Sequence, residues 1–168
     1  MRDDAVLEPG GGLLVRAGGL GVRFLVSSER SDGRFALVEH PLQPNALASP
    51  MHTHSREDEF SFVLEGRVGV QIGERELVAE PGSVVFKPRG VPHAFWNAGS
   101  APARLLEIIS PGGFEQYFLE LAALLVPGTR FDPAAMVALA ERYGLSIDLG
   151  SVARLRDKHG LTTGRAPG

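Results

Sequence analysis

Short apolar or alternating runs, separated by turn residues, follow one another from Leu13 to Ile109. Gly, Pro, Asn and Asp close each run after a few residues, as at Gly66, Gly73 and Gly99. Runs of this length between such residues are typical of antiparallel strands joined by tight turns. The pattern predicts an all-β body with strands near 13–17, 22–27, 35–40, 51–54, 59–64, 67–72, 75–79, 83–86, 93–97 and 104–109.

The period of the hydrophobic pattern changes after Gly113, where apolar residues recur at the spacing of an amphipathic helix. These residues are Phe114, Tyr117, Phe118, Leu121 and Leu125. A second helix is indicated by Asp132 as N-cap, Pro133 in the first turn and Gly144 at the end. A third helix is expected over Ser151–His159. The C-terminal part of the chain is therefore predicted to be helical.

Length and composition favour one compact domain. The chain has 168 residues, of which 43% are hydrophobic and 22% charged, the usual values for a globular protein. We expect a barrel over residues 1–112, with its core at 30–110. A helical extension over residues 113–168 is expected to pack on this barrel as part of the same domain.

Charge and residue usage narrow the classes of partner and site. The net charge of −3 comes without a block of Lys and Arg, so neither nucleic acid nor an anionic membrane is an expected partner. The longest apolar run, Leu121 to Val126, is too short to span a bilayer, and a cytoplasmic protein is expected. Cysteine is absent, so any metal must be bound by His and carboxylate side chains.

Three histidines and a glutamate are spaced as metal ligands. His52 and His54 are two residues apart on a predicted strand, which directs both imidazoles to one face. Glu59 follows closely enough to turn back onto the same ion, with Glu57 as a possible substitute. His93 comes after a turn in which Gly90 can adopt a positive φ. We predict a metal site made by His52, His54, Glu59 and His93, with open coordination positions.

These residues lie in two segments that resemble the two motifs of the cupin superfamily, G-x5-H-x-H-x3–4-E-x6-G and G-x5-P-x-G-x2-H-x3-N. The first is matched except at its leading Gly, which is Ala46 here. The matching positions are His52, His54, Glu59 and Gly66 in the first motif, and Gly82, Pro88, Gly90, His93 and Asn97 in the second. The resemblance implies a cupin jelly-roll β-barrel, an antiparallel double sheet that holds one divalent transition-metal ion (Fe, Ni, Cu, Mn, Co or Zn). It also implies a homodimer.

Strand parity predicts what surrounds the ion. If Glu59 and His93 face the lumen, then Ser61, Val63 and Phe95 do so as well, and these three are the expected substrate-binding residues. On the same reasoning, Phe60, Phe62 and Trp96 point outward and need cover from another element or a partner subunit. The cavity is expected to be mostly apolar around one charged ion.

Two histidines and the aromatic helix allow more than one interpretation. His40 is a possible fifth ligand, although a place in the pocket wall or on the surface is the simpler interpretation. His159 is expected to be solvated on the third helix. The stripe of Phe114, Tyr117 and Phe118 is explained by core packing or, alternatively, by a lid over the mouth of the barrel.

The leading functional hypothesis is a dioxygenase, because the pattern looks like the single-domain quercetinase-like dioxygenases. Glu59 would be the catalytic residue, binding the ion and taking a proton from an aromatic or enolic hydroxyl substrate, with dioxygen as the second substrate. One alternative is a non-redox isomerase, lyase or cyclase, although only Lys87 and Arg89 lie near the motif to bind a phosphate. Another is a ligand-binding cupin without turnover.

Overall fold

The structure, a computed structural model, describes residues 5–126, 128 and 130–162. The strands are Leu14–Ala17 (β1), Leu20–Val26 (β2), Ala36–Leu42 (β3), Met51–His54 (β4), Asp58–Glu65 (β5), Val68–Ile72 (β6), Arg75–Ala79 (β7), Val84–Lys87 (β8), His93–Asn97 (β9), Ala103–Ser110 (β10) and Leu145–Asp148 (β11). The helices are Glu115–Leu124 (α1), Pro133–Arg142 (α2) and Ser151–His159 (α3), with a short 3₁₀ helix at Ser28–Ser31.

The strands form two antiparallel sheets. One has six strands in the order β1-β2-β3-β10-β5-β8, and the other has five in the order β11-β4-β9-β6-β7. Strands that are distant in sequence pair at the centre of each sheet, such as β10 between β3 and β5. The predicted fold class, an all-β antiparallel double sheet with C-terminal α-helices, is confirmed.

Inward and outward residues alternate along β5 in the predicted parity. Glu59, Ser61 and Val63 are buried, whereas Phe60 and Phe62 are 37% and 41% exposed. Val63 belongs to a hydrophobic core that takes residues from both sheets and from α1. This alternation brings polar as well as apolar side chains into the interior between the sheets.

Trp96 lies in a second, smaller cluster of buried residues that α3 completes with Leu155. The ring of His159 stacks on Trp96 with 4.4 Å between the ring centroids. The side chain of His159 is 21% exposed, so it is not the solvated residue that the charged helix indicated. The third helix therefore covers one of the three outward-pointing aromatic residues.

The C-terminal segment contains a strand that the sequence pattern did not predict. Helix α2 begins as expected, with Asp132 accepting hydrogen bonds from the backbone N–H groups of Ala134 and Ala135. Strand β11 follows it and pairs with β4 along its whole length. Only one residue pair joins β4 to β9, so β11 protects the otherwise poorly paired strand that carries two of the histidines.

In the part of the chain that the structure describes, none of the helices combines the length and the apolar character needed to cross a membrane.

Candidate metal centre

The two sheets bring the four expected ligands together. His52 and His54 lie on β4, and His93 lies directly opposite His52 on β9. Glu59 reaches the same point from β5 in the other sheet. One donor atom from each residue lies within 4.8 Å of those of the others, and all four side chains are buried. The group is suited to hold a metal ion.

Each imidazole is oriented by an acceptor at its Nδ1 atom. His52 Nδ1 lies 2.9 Å from the carbonyl oxygen of Pro50, and His93 Nδ1 lies 3.0 Å from that of Val91. His54 Nδ1 lies 3.3 Å from Oε2 of Glu57. These contacts place the proton on Nδ1 and leave each Nε2 with a free lone pair, the arrangement typical of metal-bound histidine.

Glu57 therefore has a different position from the one the sequence left open. It is buried and contacts His54 from the side away from Nε2, and it does not belong to the group of four donor atoms. Its place suits a residue that orients a ligand.

The turn before His93 is fixed to the strand that carries the other histidines. Gly90 has φ of 76°, a conformation that disfavours residues with a side chain. Its N–H donates to the carbonyl oxygen of His54 over 2.8 Å. This contact connects the two motif segments through the backbone.

The ligand atoms of Glu59 and the histidines lie so close together that a cation between them would stabilise the arrangement. Oε2 of Glu59 lies 3.1 Å from Nε2 of His93, and Oε1 lies 3.4 Å from Nε2 of His54. With the ring protons on Nδ1, all of these atoms are acceptors, and acceptors at such distances repel unless a positive charge lies between them. Three imidazoles and one carboxylate suit a divalent transition-metal ion.

The protonation states also fit a metal site. Burial lowers the pKa of His52 well below its usual value and lowers that of His93, so both rings stay neutral. Burial by itself raises the pKa of Glu59, but Lys87, followed by His54 and His93, reverses this and holds the pKa well below its usual value. Neutral imidazoles and an ionised carboxylate are the forms that bind metal.

A second group of buried charges supports Glu59 from the side of the six-stranded sheet. Lys87 Nζ lies 3.0 Å from Oε2 of Glu59 and 2.8 Å from Oε2 of Glu107. Ser61 Oγ lies 3.0 Å from the same Glu107 oxygen. Burial raises the pKa of Glu107 to about 7, although Lys87 opposes the shift. Burial would lower the pKa of Lys87, but Glu107 and Glu59 outweigh it, so the ammonium stays protonated.

This network was not predicted from the sequence. The motifs do not include Glu107, although the alternation of β10 places it inward, between Leu105 and Ile109. A charged residue at an inward-facing position of a strand is the signal from which a buried ion pair could be predicted. The sequence indicates Lys87 only as a phosphate-binding residue, whereas its ammonium is fully occupied by two carboxylates.

A cavity of about 110 Å³ opens beside the metal ligands. His52, His54 and Glu59 form part of its wall, and much of the remainder is apolar. Phe95, an expected substrate-binding residue, lines the cavity as well. Of the other two, Ser61 bonds to Glu107, and Val63 lies in the core; neither is among the residues that line the cavity.

The aromatic stripe of α1 is both core and cavity wall. Phe114, Tyr117, Phe118 and Leu121 are buried, and all four line the cavity. The ring of Phe114 packs edge-on against His54 with 4.4 Å between centroids. The start of the helix therefore contacts a metal ligand directly. The same aromatic side chains pack in the core and cover the site.

Comparison with known proteins identifies the family. The family model for the cupin domain matches residues 39–109. The structure of the polyketide cyclase RemF from Streptomyces resistomycificus superposes with a TM-score of 0.54 at 29% identity, covering 62% of this chain and 78% of that one. Residues 39–109 of this chain form a cupin domain. Its two sheets form the cupin jelly roll.

Two curated proteins are similar to parts of this cupin. Tetracenomycin polyketide synthase protein TcmJ from Streptomyces glaucescens is 33% identical over 60 residues, which cover 36% of this chain and 40% of that protein. Germin-like protein 1 from Brassica napus is 35% identical over 100 residues, which cover 52% of this chain and 48% of that protein. The cupin described here thus matches less than half of the length of either relative.

Proposed function

We propose that this cupin is a metal-dependent enzyme that binds a small substrate through an enolic or phenolic oxygen and removes a proton from it. The observation that carries the proposal is the buried group of three imidazoles and one carboxylate beside a largely apolar, aromatic-lined cavity. A bound divalent ion would supply a Lewis acid that lowers the pKa of a hydroxyl, or polarises a carbonyl, at that point. The metal ligands are His52, His54, Glu59 and His93.

Glu59 is the proposed catalytic base. Its carboxylate lines the cavity and is held ionised, chiefly by Lys87, so it can accept a proton from a substrate bound beside it. Lys87 contacts Oε2, whereas Oε1 lies 3.4 Å from Nε2 of His54. The aromatic residues of α1 and Phe95 exclude water and hold the apolar part of the substrate. Ser61 and Val63 do not line the cavity, so of the three expected substrate-binding residues only Phe95 is proposed to contact the substrate.

Two reactions can follow the loss of the proton. A dioxygenase reaction on an aromatic or enolic hydroxyl is supported by a ligand set that accepts redox-active metals and by the apolar cavity. A non-redox reaction, such as a cyclisation, is favoured by the similarity to RemF, named as a polyketide cyclase, and to the polyketide synthase protein TcmJ. Both reactions use the same base and the same oxygen-binding position.

One experiment separates these reactions. Protein loaded in turn with Fe²⁺, Ni²⁺, Co²⁺ and Zn²⁺ is mixed with flavonols, catechols and enolic 1,3-diketones, with and without oxygen. Loss of substrate with matching oxygen uptake supports the dioxygenase, and equal loss without oxygen supports the non-redox enzyme. Glu59→Gln should abolish either reaction, and the exposed Glu80→Gln should leave it unchanged. Binding without any turnover would contradict both and leave a ligand-binding cupin.

We also propose a cytoplasmic homodimer. Phe60, Phe62 and Phe86 are 37%, 41% and 49% exposed on neighbouring strands, and the rings of Phe60 and Phe86 stack on one another. Strand β8 is also the edge of its sheet. An exposed apolar surface beside a free edge supports association with a second copy. Sedimentation equilibrium of the protein and of Phe62→Lys tests this, and a monomeric wild-type protein would contradict it.

A further inference from the structure

One polar side chain in the cavity wall takes no part in the metal centre. His40 lies within β3, is almost completely buried and lines the cavity. Its Nδ1 lies 3.0 Å from the carbonyl oxygen of Gly21. Because a carbonyl can only accept, Nδ1 carries the proton and Nε2 is left as a hydrogen-bond acceptor.

The Nε2 atom of His40 has no partner in the part of the chain that the structure describes. The ring is flanked by Phe95 and Phe118, with centroids 5.8 Å and 5.5 Å away, and neither has a polar donor. Among the described residues, the only fully enclosed side-chain nitrogen or oxygen without a hydrogen-bond partner is Nε2 of His159. Nε2 of His40 therefore keeps some accessible surface, and since the ring lines the cavity, a cavity ligand can reach it.

His40 is also set apart from the metal ligands. It does not belong to the group of four donor atoms, so the possibility of a fifth ligand is not supported. Leu105 of β10 pairs with His40 on one side and with Val63 on the other, so His40 lies level with Val63. Val63 is four residues after Glu59 on β5. Four residues of strand correspond to about 13 Å of backbone. Burial lowers the pKa of His40 to about 4, so the ring is neutral near pH 7.

We infer that His40 determines substrate specificity by accepting, at Nε2, a hydrogen bond from a hydroxyl or N–H group on the part of the substrate remote from the metal. The inference rests on the proposed function, since it takes the other end of the substrate to be held at the metal ligands. A ligand with only apolar atoms at that position would leave a buried acceptor unpaired. Sites built to bind a polar group reject such analogues strongly.

Matched catechol probes test the inference. 4-(2-Hydroxyethyl)catechol and 4-propylcatechol share the metal-binding end and differ in a terminal hydroxyl or methyl group. The pair 4-(3-hydroxypropyl)catechol and 4-butylcatechol extends the reach by one carbon. Affinities are measured from the visible spectrum of Co²⁺-loaded protein. We expect the hydroxyl probe of at least one pair to bind about tenfold more tightly than its methyl partner.

Variants then assign the preference to one residue. His40→Phe should abolish or reverse the preference, whereas His40→Gln, which keeps an acceptor, should retain part of it. Leu125→Met, an apolar change in the same cavity wall, should leave it unchanged. Equal affinities within both pairs, or a preference that persists in His40→Phe, would overturn the inference.

A second readout does not depend on activity or on folding of a variant. In Zn²⁺-loaded wild-type protein, ¹⁵N NMR of the His40 ring should show the Nδ1–H tautomer. The Nε2 resonance should move when the favoured hydroxyl probe binds and stay in place with its methyl partner. An Nε2–H tautomer, or equal shifts with both probes, would contradict the inference.

The outcomes distinguish the two proposals. If none of the four probes changes the Co²⁺ spectrum, binding of oxygen-donor substrates at the metal is wrong, and the inference is wrong with it. If the probes bind at the metal but the hydroxyl preference does not depend on His40, only the inference about His40 is wrong.

Discussion

The two sheets contribute to the metal centre in different ways. The five-stranded sheet supplies three imidazoles, two of which are oriented by the carbonyl oxygen two residues earlier in the chain. The six-stranded sheet supplies the charged groups of Glu59, Lys87 and Glu107, which form ion pairs with one another. There Glu59 stands opposite Lys87 in register, and Ser61 stands opposite Glu107.

The orientation of two of the histidines is set by local structure, whereas the charged groups depend on tertiary contacts. A ring oriented by its own backbone needs only the correct local conformation. A buried carboxylate or ammonium instead needs a partner of opposite charge, because the desolvation of an unpaired ion costs several kcal/mol. Single substitutions among the buried charges of the six-stranded sheet should therefore lower the stability of the protein much more than substitutions around the histidines.

The largest effect is expected for Lys87→Met, which leaves Glu59 and Glu107 without their shared cation. We expect the metal-free protein to lose about 3–5 kcal/mol in its free energy of unfolding, measured in urea. Adding Glu107→Gln should restore part of that loss, since one of the uncompensated charges is then removed.

Lys158→Met is the matched control for this change. Lys158 forms an ion pair with Glu76 on the surface, where its side chain is 54% exposed. Pairs of this kind contribute under about 1 kcal/mol. Equal losses in the two variants would show that the buried network does not stabilise the fold.

The next effect concerns the pH dependence of stability. The pKa of His40 falls from 6.5 to about 4, chiefly through burial, with Lys87 lowering it further and the Gly21 carbonyl and Glu59 opposing. The unfolded chain binds more protons than the folded one in that range. The contribution of His40 to stability is therefore complete above pH 6.5 and is lost as the pH falls to about 4.

The loss attributable to His40 is about 3 kcal/mol. Unfolding of metal-free wild type and His40→Gln at several pH values measures it. The variant should show a shallower dependence between pH 6.5 and 4, whatever its stability at neutral pH. Identical slopes would mean that His40 can be protonated in the folded protein.

On the histidine side, His54 is the exception, because its Nδ1 contacts a side chain, Glu57. Loss of such an orienting partner lowers metal affinity by about 10- to 100-fold. We expect this loss for Glu57→Gln by competition with a chelator, and no change for Glu80→Gln. A complete loss of binding in Glu57→Gln, with binding retained in Glu59→Gln, would exchange the roles of the two glutamates.

The smallest effect is expected for Ser61→Ala. It removes one hydrogen bond to Glu107 and leaves the contact with Lys87 in place. Urea unfolding should show a loss of about 1 kcal/mol. A loss as large as that of Lys87→Met would indicate that Ser61, and not only the ammonium, is needed to hold Glu107.

Much of this protein was determined by features that are local in sequence. Strand alternation placed Glu59, Ser61 and Val63 inward, and Asp132 caps its helix as predicted. The two motif segments placed three histidines and a glutamate at the spacing of metal ligands. Such features depend on neighbouring residues alone, since side-chain parity and helix caps are properties of a few consecutive residues.

Tertiary structure decided what depends on pairing between distant strands. Strand β11 is only four residues long and forms because it covers the edge of β4. The contact of Lys87 with Glu59 and Glu107 requires the register of β5 with β8 and β10, which no local pattern specifies. The open acceptor of His40 likewise depends on the carbonyl of Gly21, nineteen residues earlier in the chain. Sequence determined which residues carry the chemistry, and strand pairing decided which of them meet.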